Sequence, residues 1–380
     1  MEIAVSMALL MATGLLLRTL IHIETMNMGF NNSQNEVLMG IALDQEGPRR
    51  QAETDALVTR MKALPGAMDV SIARVVPFPE TGGGATRIVL APGELPSETA
   101  GIPVWFNSVD DAYFRVMSVT MLRGRTFAGQ DTATSQRVAI LNQTLAKKLF
   151  GVDDVVGRHL RLGRTQPVDV EIVGVAYDGK YADVTETPQP YLFLPFTQDG
   201  QQEVTLIVTT AGDPGSLLPA MRKALREVGP RVLILSTQTL TDHMQLATYM
   251  NRMEAWLSVS LGALALLLTA VGLFGVTAYT VSRRTHEIGI RMALGALRGT
   301  VFASVLKDGL KLTLAGMVLG TGVAVLLGRA MSSLLYGVKP LDPVTLLGVV
   351  AVVLATSIAA LVTPARRALR VNPVEALREE

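Results

Sequence analysis

The hydrophobic positions of this chain are concentrated in long uncharged runs near its two ends. The first run, Ile3–Leu17, has 15 residues without a charged side chain. Three more runs follow late in the chain: Ala255–Ser282 with 28 residues, Leu312–Gly328 with 17 and Pro343–Ala365 with 23. A helix needs about 20 apolar residues to cross a bilayer. The pattern therefore predicts four transmembrane helices, at residues 1–23, about 255–282, about 302–328 and about 343–365.

The first run is shorter than a bilayer core, because Arg18 ends it. An arginine near a helix end can extend to the membrane interface, and apolar residues up to Ile23 can lengthen this helix. The rival interpretation is a cleaved signal peptide, which has a basic start and a cleavage site between small residues. Glu2 is the only charge before Arg18 and no A-x-A sequence follows, so an anchored helix is favoured.

Residues 24–252 have the patterns of an α+β domain. A strand, a helix and a strand are predicted at 36–43, 50–64 and 68–76, and the same order recurs at 203–210, 215–228 and 231–235. These two units could be halves of one sheet. Between them, Pro77–Pro103 is rich in Pro and Gly and is predicted to be a loop. Short strands are expected near 137–141 and 169–175.

The charges of the loops predict the orientation of the chain. The loop Arg283–Lys311 has six basic residues and two acidic ones, and four arginines follow Ala365. Basic residues are enriched on the cytoplasmic side of a membrane. We therefore expect cytoplasmic N- and C-termini and an extracytoplasmic domain at residues 24–252. The predicted fold is a multi-pass protein of the cell (inner) membrane, with four transmembrane α-helices and a large extracytoplasmic α+β domain between the first and second.

The composition is typical of a membrane protein and argues against a nucleic-acid partner, a metal or another cofactor. The chain is 49% hydrophobic and 18% charged, below the roughly 25% charge of soluble domains. Its net charge of +1 gives no sign of a nucleic-acid partner. Cysteine is absent, and the four histidines lie far apart without ligand-like neighbours, so neither a metal nor another cofactor is expected.

Motifs for catalysis are also absent from the sequence. There is no G-x-x-x-x-G-K-[ST] phosphate loop, no G-x-S-x-G elbow and no H-E-x-x-H helix. The adjacent pairs Asp110–Asp111 and Asp153–Asp154 are expected to serve turns or helix starts, because neighbours on a helix or strand point apart. The last three runs hold no ionisable residue, which disfavours an ion-coupled carrier. We expect no enzyme activity and an external source of energy.

The segment after the second span is the most informative. Glu287 and Arg291 are spaced i,i+4 in the favourable order, and so are Ile288 and Met292. Gly289 and Gly295 would allow a close approach by another chain. These six residues predict a short cytoplasmic helix that docks onto a partner. The alternative is a membrane-surface helix whose arginines meet lipid phosphates, and the residues alone do not decide between them.

Gly316 and Gly320 form a G-x-x-x-G in the third span. This spacing lets helices approach closely in a membrane, either between two chains or within one. Packing within the chain is the favoured interpretation.

Several of these segments together resemble one family, the MacB/FtsX-type ABC transporter permeases. Residues 284–296 resemble the cytoplasmic loop of that family, and residues 364–368 and 372–378 resemble its C-terminus. Four parts of the middle region resemble its periplasmic core: Tyr113–Met117, Leu122–Arg125, Val156–Arg158 and Ile172–Val175. On this basis residues 24–252 are expected to be a MacB-like core domain and residues 253–380 an FtsX-like permease domain.

The resemblance implies a separate ATPase that docks on the loop helix and moves the outer domain through the membrane. It also implies a paired assembly, with a second copy of the permease or a homologous half as partner, and a possible periplasmic adaptor or effector. The residues around Leu15–Arg18 look most like the second half of a large duplicated permease, so the chain could be such a half. The alternative function is an FtsX-like signalling scaffold that regulates a partner such as a cell-wall hydrolase.

Overall fold

The computed structural model describes residues 2–30, 35–44, 47–79, 85–294, 297–330, 337–339 and 341–368. The chain divides into two compact units, residues 1–26 with 250–380, and residues 27–249. We call the first the helical unit and the second the α+β unit.

The helices of the described chain, in order, are α1 Glu2–Thr25, α2 Gly47–Lys62, α3 Tyr113–Val116, α4 Gln143–Phe150, α5 Phe196–Asp199, α6 Pro214–Val228, α7 Leu240–Ala247, α8 Tyr249–Arg283, α9 Thr285–Ala293, α10 Arg298–Ala330 and α11 Pro343–Ala368. The strands are β1 Glu36–Ala42, β2 Ala67–Ala73, β3 Thr86–Leu90, β4 Ile102–Val109, β5 Met121–Gly124, β6 Val138–Asn142, β7 His159–Leu162, β8 Val168–Ala176, β9 Tyr191–Pro195, β10 Glu203–Thr210 and β11 Leu233–Thr239.

Four helices are long and apolar enough to cross a membrane, namely α1, α8, α10 and α11, with mean hydropathies between 1.9 and 2.5. The α+β unit lies between the first and second of them in sequence. The predicted arrangement of four membrane helices around an inserted α+β domain is confirmed.

The strands of the α+β unit form one sheet with two parts. In the first part, β11, β1, β10 and β2 are neighbours and all their pairings are antiparallel. The two predicted strand–helix–strand units supply these four strands, so the expectation that they share one sheet is confirmed. Helices α2 and α6 bury Leu57, Met61 and Met221 against Met39 and Leu206.

The second part of the sheet closes on itself. Strands β4, β3, β7, β8, β6 and β9 pair in turn, and β9 pairs back to β4 in parallel. The interior of this ring is a separate apolar core that includes Val89, Val104, Ile172 and Leu192. A closed ring leaves its strands no free edge, which explains how such short strands are stable.

The prediction of a loop over Pro77–Pro103 is wrong in part. Strand β3 lies inside it and β4 begins at Ile102. Val89 and Leu90 are buried, and β3 pairs with both β4 and β7. The surrounding Pro and Gly residues lie at the ends of these short strands. Because Pro and Gly are so frequent in this segment, the sequence pattern did not reveal a strand of five residues.

Within the helical unit, α1 lies against α10 and α11. Ile3, Met7, Met11 and Leu15 form its buried stripe. A Cβ atom added at Gly320 would lie 3.0 Å from the Cα of Ala4, and one at Gly316 would lie 2.7 Å from the Cβ of Ile3. The G-x-x-x-G therefore packs within the chain, as predicted.

Arg18 of α1 forms an ion pair with Asp342, just before α11. The Asp342 carboxylate also accepts hydrogen bonds from the backbone N–H and the hydroxyl of Thr345, each at 2.7 Å. Donation from Thr345 holds the pKa of Asp342 below its usual value. Arg18 thus binds a carboxylate of its own chain, a partner that the sequence did not indicate.

Candidate functional site

The predicted docking segment is helix α9, which follows α8 after a single residue and precedes α10. The Thr285 hydroxyl donates to the carbonyl of Ser282 at 2.7 Å, at the point where α8 gives way to α9. At the other end, the backbone N–H of Leu294 donates to the carbonyl of Ile290 at 3.0 Å. The segment is therefore a helix of nine residues, as the sequence pattern predicted.

One face of α9 packs against the two membrane helices that flank it. Ile288 is buried, with 7% of its surface exposed, in a cluster with Val281 of α8 and Val301 of α10. Met292 packs against the same cluster. Both residues were predicted for the docking surface. In the structure these two residues pack α9 against α8 and α10.

The predicted ion pair lies on the accessible side of α9. The Glu287 carboxylate and the Arg291 guanidinium are 2.5 Å apart, with side chains 51% and 59% exposed. At this exposure the pair contributes little to stability, about 0.5 kcal/mol or less. It does leave both charged groups available to a partner.

Exposed apolar residues that the sequence pattern did not reveal accompany this ion pair. Ile290 and Leu294 are 38% and 83% exposed and are spaced i,i+4. Leu297, just before α10, is 76% exposed. The spacing was visible in the sequence, but Ile288 and Met292 have the same spacing, and only the packing shows which pair faces outward. An exposed apolar patch with a polar rim marks a site that interacts with a protein or a membrane.

A cleft of about 400 Å³ lies between the end of α8, helix α9 and the start of α10. Its polar lining includes Arg284, Glu287, Arg291 and Asp308. Arg284 and Asp308 form an ion pair at 3.2 Å, which links the two sides of the cleft. The cleft therefore shares the Glu287–Arg291 ion pair with the accessible side of α9.

Gly289 and Gly295 were also predicted for the docking surface. Gly289 is part of α9 by its backbone, and Gly295 lies outside the described residues. In the described part of the chain, no group of three or more His, Asp or Glu side chains could hold a metal ion.

Comparisons with known proteins match both parts of this layout. The model of the MacB-like periplasmic core domain matches residues 3–228, more than half of the 380 residues, and the FtsX-like permease C-terminal model matches residues 259–373. The chain belongs to the MacB/FtsX-type ABC transporter permeases. Among relatives of this MacB/FtsX-type chain is the uncharacterized ABC transporter permease YknZ of Bacillus subtilis (strain 168), 30% identical over 284 residues, 72% of this chain and 70% of YknZ.

Two further relatives of this permease are named macrolide export ATP-binding/permease protein MacB. The one from Hahella chejuensis is 27% identical over 344 residues, which are 88% of this chain and 50% of that protein. The one from Sodalis glossinidius is 29% identical over 285 residues, 72% of this chain and 43% of that protein. The chain thus spans half or less of the length of these MacB relatives.

Proposed function

We propose that this chain is the permease and mechanotransmission subunit of an ABC transporter and is driven by a separate ATPase that docks on α9. The sequence has no phosphate loop, so ATP binding must come from another subunit or domain. The names of the MacB relatives include both an ATP-binding and a permease function, which supports such a pairing. In this proposal ATP-driven closure moves the α+β unit, and substrate need not cross the bilayer.

The observation that carries the proposal is the division of α9 into two faces. Ile290, Leu294 and the Glu287–Arg291 pair are accessible to a partner, whereas Ile288 is buried against α8 and α10. A lipid-surface helix would have its apolar face toward the acyl chains. Here Ile288 and Met292 pack against the chain's own helices, so a partner that moves α9 would also move α8 and α10. The exposed face with Ile290 and Leu294 is available for a protein.

We further propose that α9 and both termini are cytoplasmic and that residues 24–252 are extracytoplasmic, in a protein of the cell (inner) membrane. The six basic residues of the loop after the second span support this orientation. In this scheme residues 1–23 are the first span, residues 24–252 the MacB-like core and residues 253–380 the FtsX-like permease domain.

The proposed partner besides the ATPase is a second permease copy or a homologous half. ATPases of this class work as pairs, as the family resemblance implies, and each ATPase needs a docking helix. Helix α8 supports a paired assembly, because Leu257, Leu264 and Val271 are 65%, 53% and 62% exposed within the chain. Such a face is available to lipid or to another membrane helix.

Capture of the ATPase from native membranes tests the docking proposal. Leu294→Glu places a charge at the most exposed apolar position of the α9 surface, and we expect it to reduce capture about tenfold or more. Leu233→Glu is the matched control, since Leu233 is also an exposed leucine, at 65%, but belongs to the α+β unit. Capture of the ATPase by Leu294→Glu at the wild-type level, with normal membrane insertion, would refute docking at this surface.

A further inference from the structure

The α+β unit contains a cavity of about 370 Å³ that the docking function does not use. It lies between α2, the turn after β4, the loop between β5 and β6, and helix α5. Its charged lining consists of Asp55, Asp110, Asp111, Asp131 and Lys62. The cavity has the size of small-molecule binding sites in proteins, which start at about 300 Å³.

A buried hydroxyl in this cavity lacks a partner. Thr54 of α2 is only 3% exposed, and its Oγ1 has no hydrogen-bond partner among the described residues. A threonine within a helix can donate to the carbonyl four residues earlier, as Thr59 does to Asp55 at 2.8 Å. Thr54 makes no such bond, although burying an unpaired hydroxyl is unfavourable. Among the residues that line the cavity, Thr54 carries the one buried polar side-chain atom without a hydrogen-bond partner in the described part of the chain.

The carboxyl group of Asp110 is the second element of the site. Its Oδ1 accepts a hydrogen bond from the Ser71 hydroxyl at 2.6 Å. The neighbouring Asp131 carboxylate is neutralised by Arg125, at 2.7 and 2.9 Å, whereas Asp110 has no ion-pair partner in the described part of the chain. Burial raises the pKa of Asp110 to about 7, and the nearby Asp111 adds to this effect. A cation beside Asp110 would offset the cost of its charge.

Apolar and aromatic side chains form another part of the cavity lining. Phe127 and Phe196 are 4% and 3% exposed and line the cavity together with Val58, Ile72 and Val109. Aromatic faces attract organic cations, and aliphatic side chains accommodate an apolar body. We propose that this cavity binds a small organic ammonium compound, whose charged nitrogen meets Asp110 and the Thr54 hydroxyl while its apolar part contacts the phenylalanines. This proposal is independent of the docking function.

Binding of 2-phenylethylamine to the full chain in lipid nanodiscs tests the proposal, with empty nanodiscs as the blank. Its neutral analogue 2-phenylethanol has the same ring and chain without the charge. We expect saturable binding of the amine by calorimetry. The affinity for the alcohol should be weaker by at least about tenfold. Equal affinity for the two compounds would show an apolar void only and would overturn the proposal. So would an amine signal no larger than that of the empty nanodiscs.

Substitutions at Asp110 and Thr54 test whether these residues bind the amine. Asp110→Asn removes the charge with little change in shape, and we expect an affinity loss of about tenfold or more. Thr54→Val removes only the unpaired hydroxyl and should weaken binding about threefold without lowering the melting temperature. Thr248→Val is the matched control, because Thr248 is also buried, its hydroxyl already donates to the carbonyl of Met244 at 3.0 Å, and it does not line the cavity. It should leave the affinity unchanged. Wild-type affinity in both Asp110→Asn and Thr54→Val would overturn the proposal.

Discussion

The two units of the chain bury polar side chains by different means. In the described part of the helical unit, the buried polar residues are serines and threonines, such as Ser6, whose hydroxyl donates to the carbonyl of Ala265 at 2.9 Å. The α+β unit buries residues that can ionise, among them Lys180, Asp131 and His243. Short hydroxyls let membrane helices approach closely without a charge in the bilayer. The stability of the helical unit should therefore depend on close packing, and that of the α+β unit also on pH.

The largest effect is expected from overfilling the contact between α1 and α10. Gly320→Leu would press a side chain into the backbone of Ala4, so we expect a loss of about 3 kcal/mol or more of stability and little folded protein. Gly322→Leu is the matched control, because a Cβ at Gly322 meets no atom of the described chain within 4 Å. Yield and melting temperature in detergent measure the difference. Equal behaviour of the two variants would contradict the packing of α1 against α10.

Cysteine cross-linking sharpens the contrast between helices inside the bundle and those at its surface. The native chain has no cysteine, so single introduced cysteines report one position each. We expect cross-links between subunits from exposed positions of α8, such as Leu257 and Leu264, and none from Met7 and Met11, which are 0% and 2% exposed. Cross-links from Met7 in native membranes would show that α1 faces another subunit instead of its own bundle.

A smaller, pH-dependent effect is expected from Asp110 in the α+β unit. Its folded pKa of about 7 lies above the unfolded value of about 3.9, so the folded state holds the extra proton between these values. Stability should then fall as pH rises from about 4 to about 7, by roughly 2–4 kcal/mol in total. Asp110→Asn should remove this decline, measured as melting temperature at pH 5 and pH 8.

Asp69 is the control, because its pKa is shifted in the opposite direction to that of Asp110. Its hydrogen bonds from Arg115 hold the pKa of Asp69 below its usual value, so any stability from this pair is lost as pH falls. Asp69→Asn should therefore leave the decline between pH 5 and pH 8 intact. A decline that persists unchanged in Asp110→Asn would show that another group causes it.

Much of the fold was predictable because membrane helices are specified by composition and length. The uncharged runs located α1, α8, α10 and α11, although α10 begins 14 residues before its run. Alternation located β1, β2 and β10. The closed ring of strands was not predicted as a unit, since β4 and β9 are far apart in sequence and their pairing depends on tertiary packing. Short strands such as β5 and β7, with four residues each, carry too little pattern to detect.

The candidate site was predictable as a helix but not as a surface. The i,i+4 spacings of Glu287 with Arg291 and of Ile288 with Met292 indicated a helix, and α9 and its ion pair are present. Which apolar stripe faces outward depends on the approach of α8 and α10, and this is a tertiary property. The cavity at Asp110 was missed for a similar reason, because its walls come from five separate segments.

The central claim is that the outer face of α9 binds the ATPase and its inner face transmits the motion. Spin labels at introduced cysteines replacing Leu95 and Leu257, which are 81% and 65% exposed, would report distance changes on ATP addition to the complex with the ATPase. We predict an ATP-dependent change in the otherwise wild-type chain, its loss in Ile288→Ala with capture of the ATPase preserved, and loss of capture in Leu294→Glu. A full ATP-dependent change in both variants would contradict the claim.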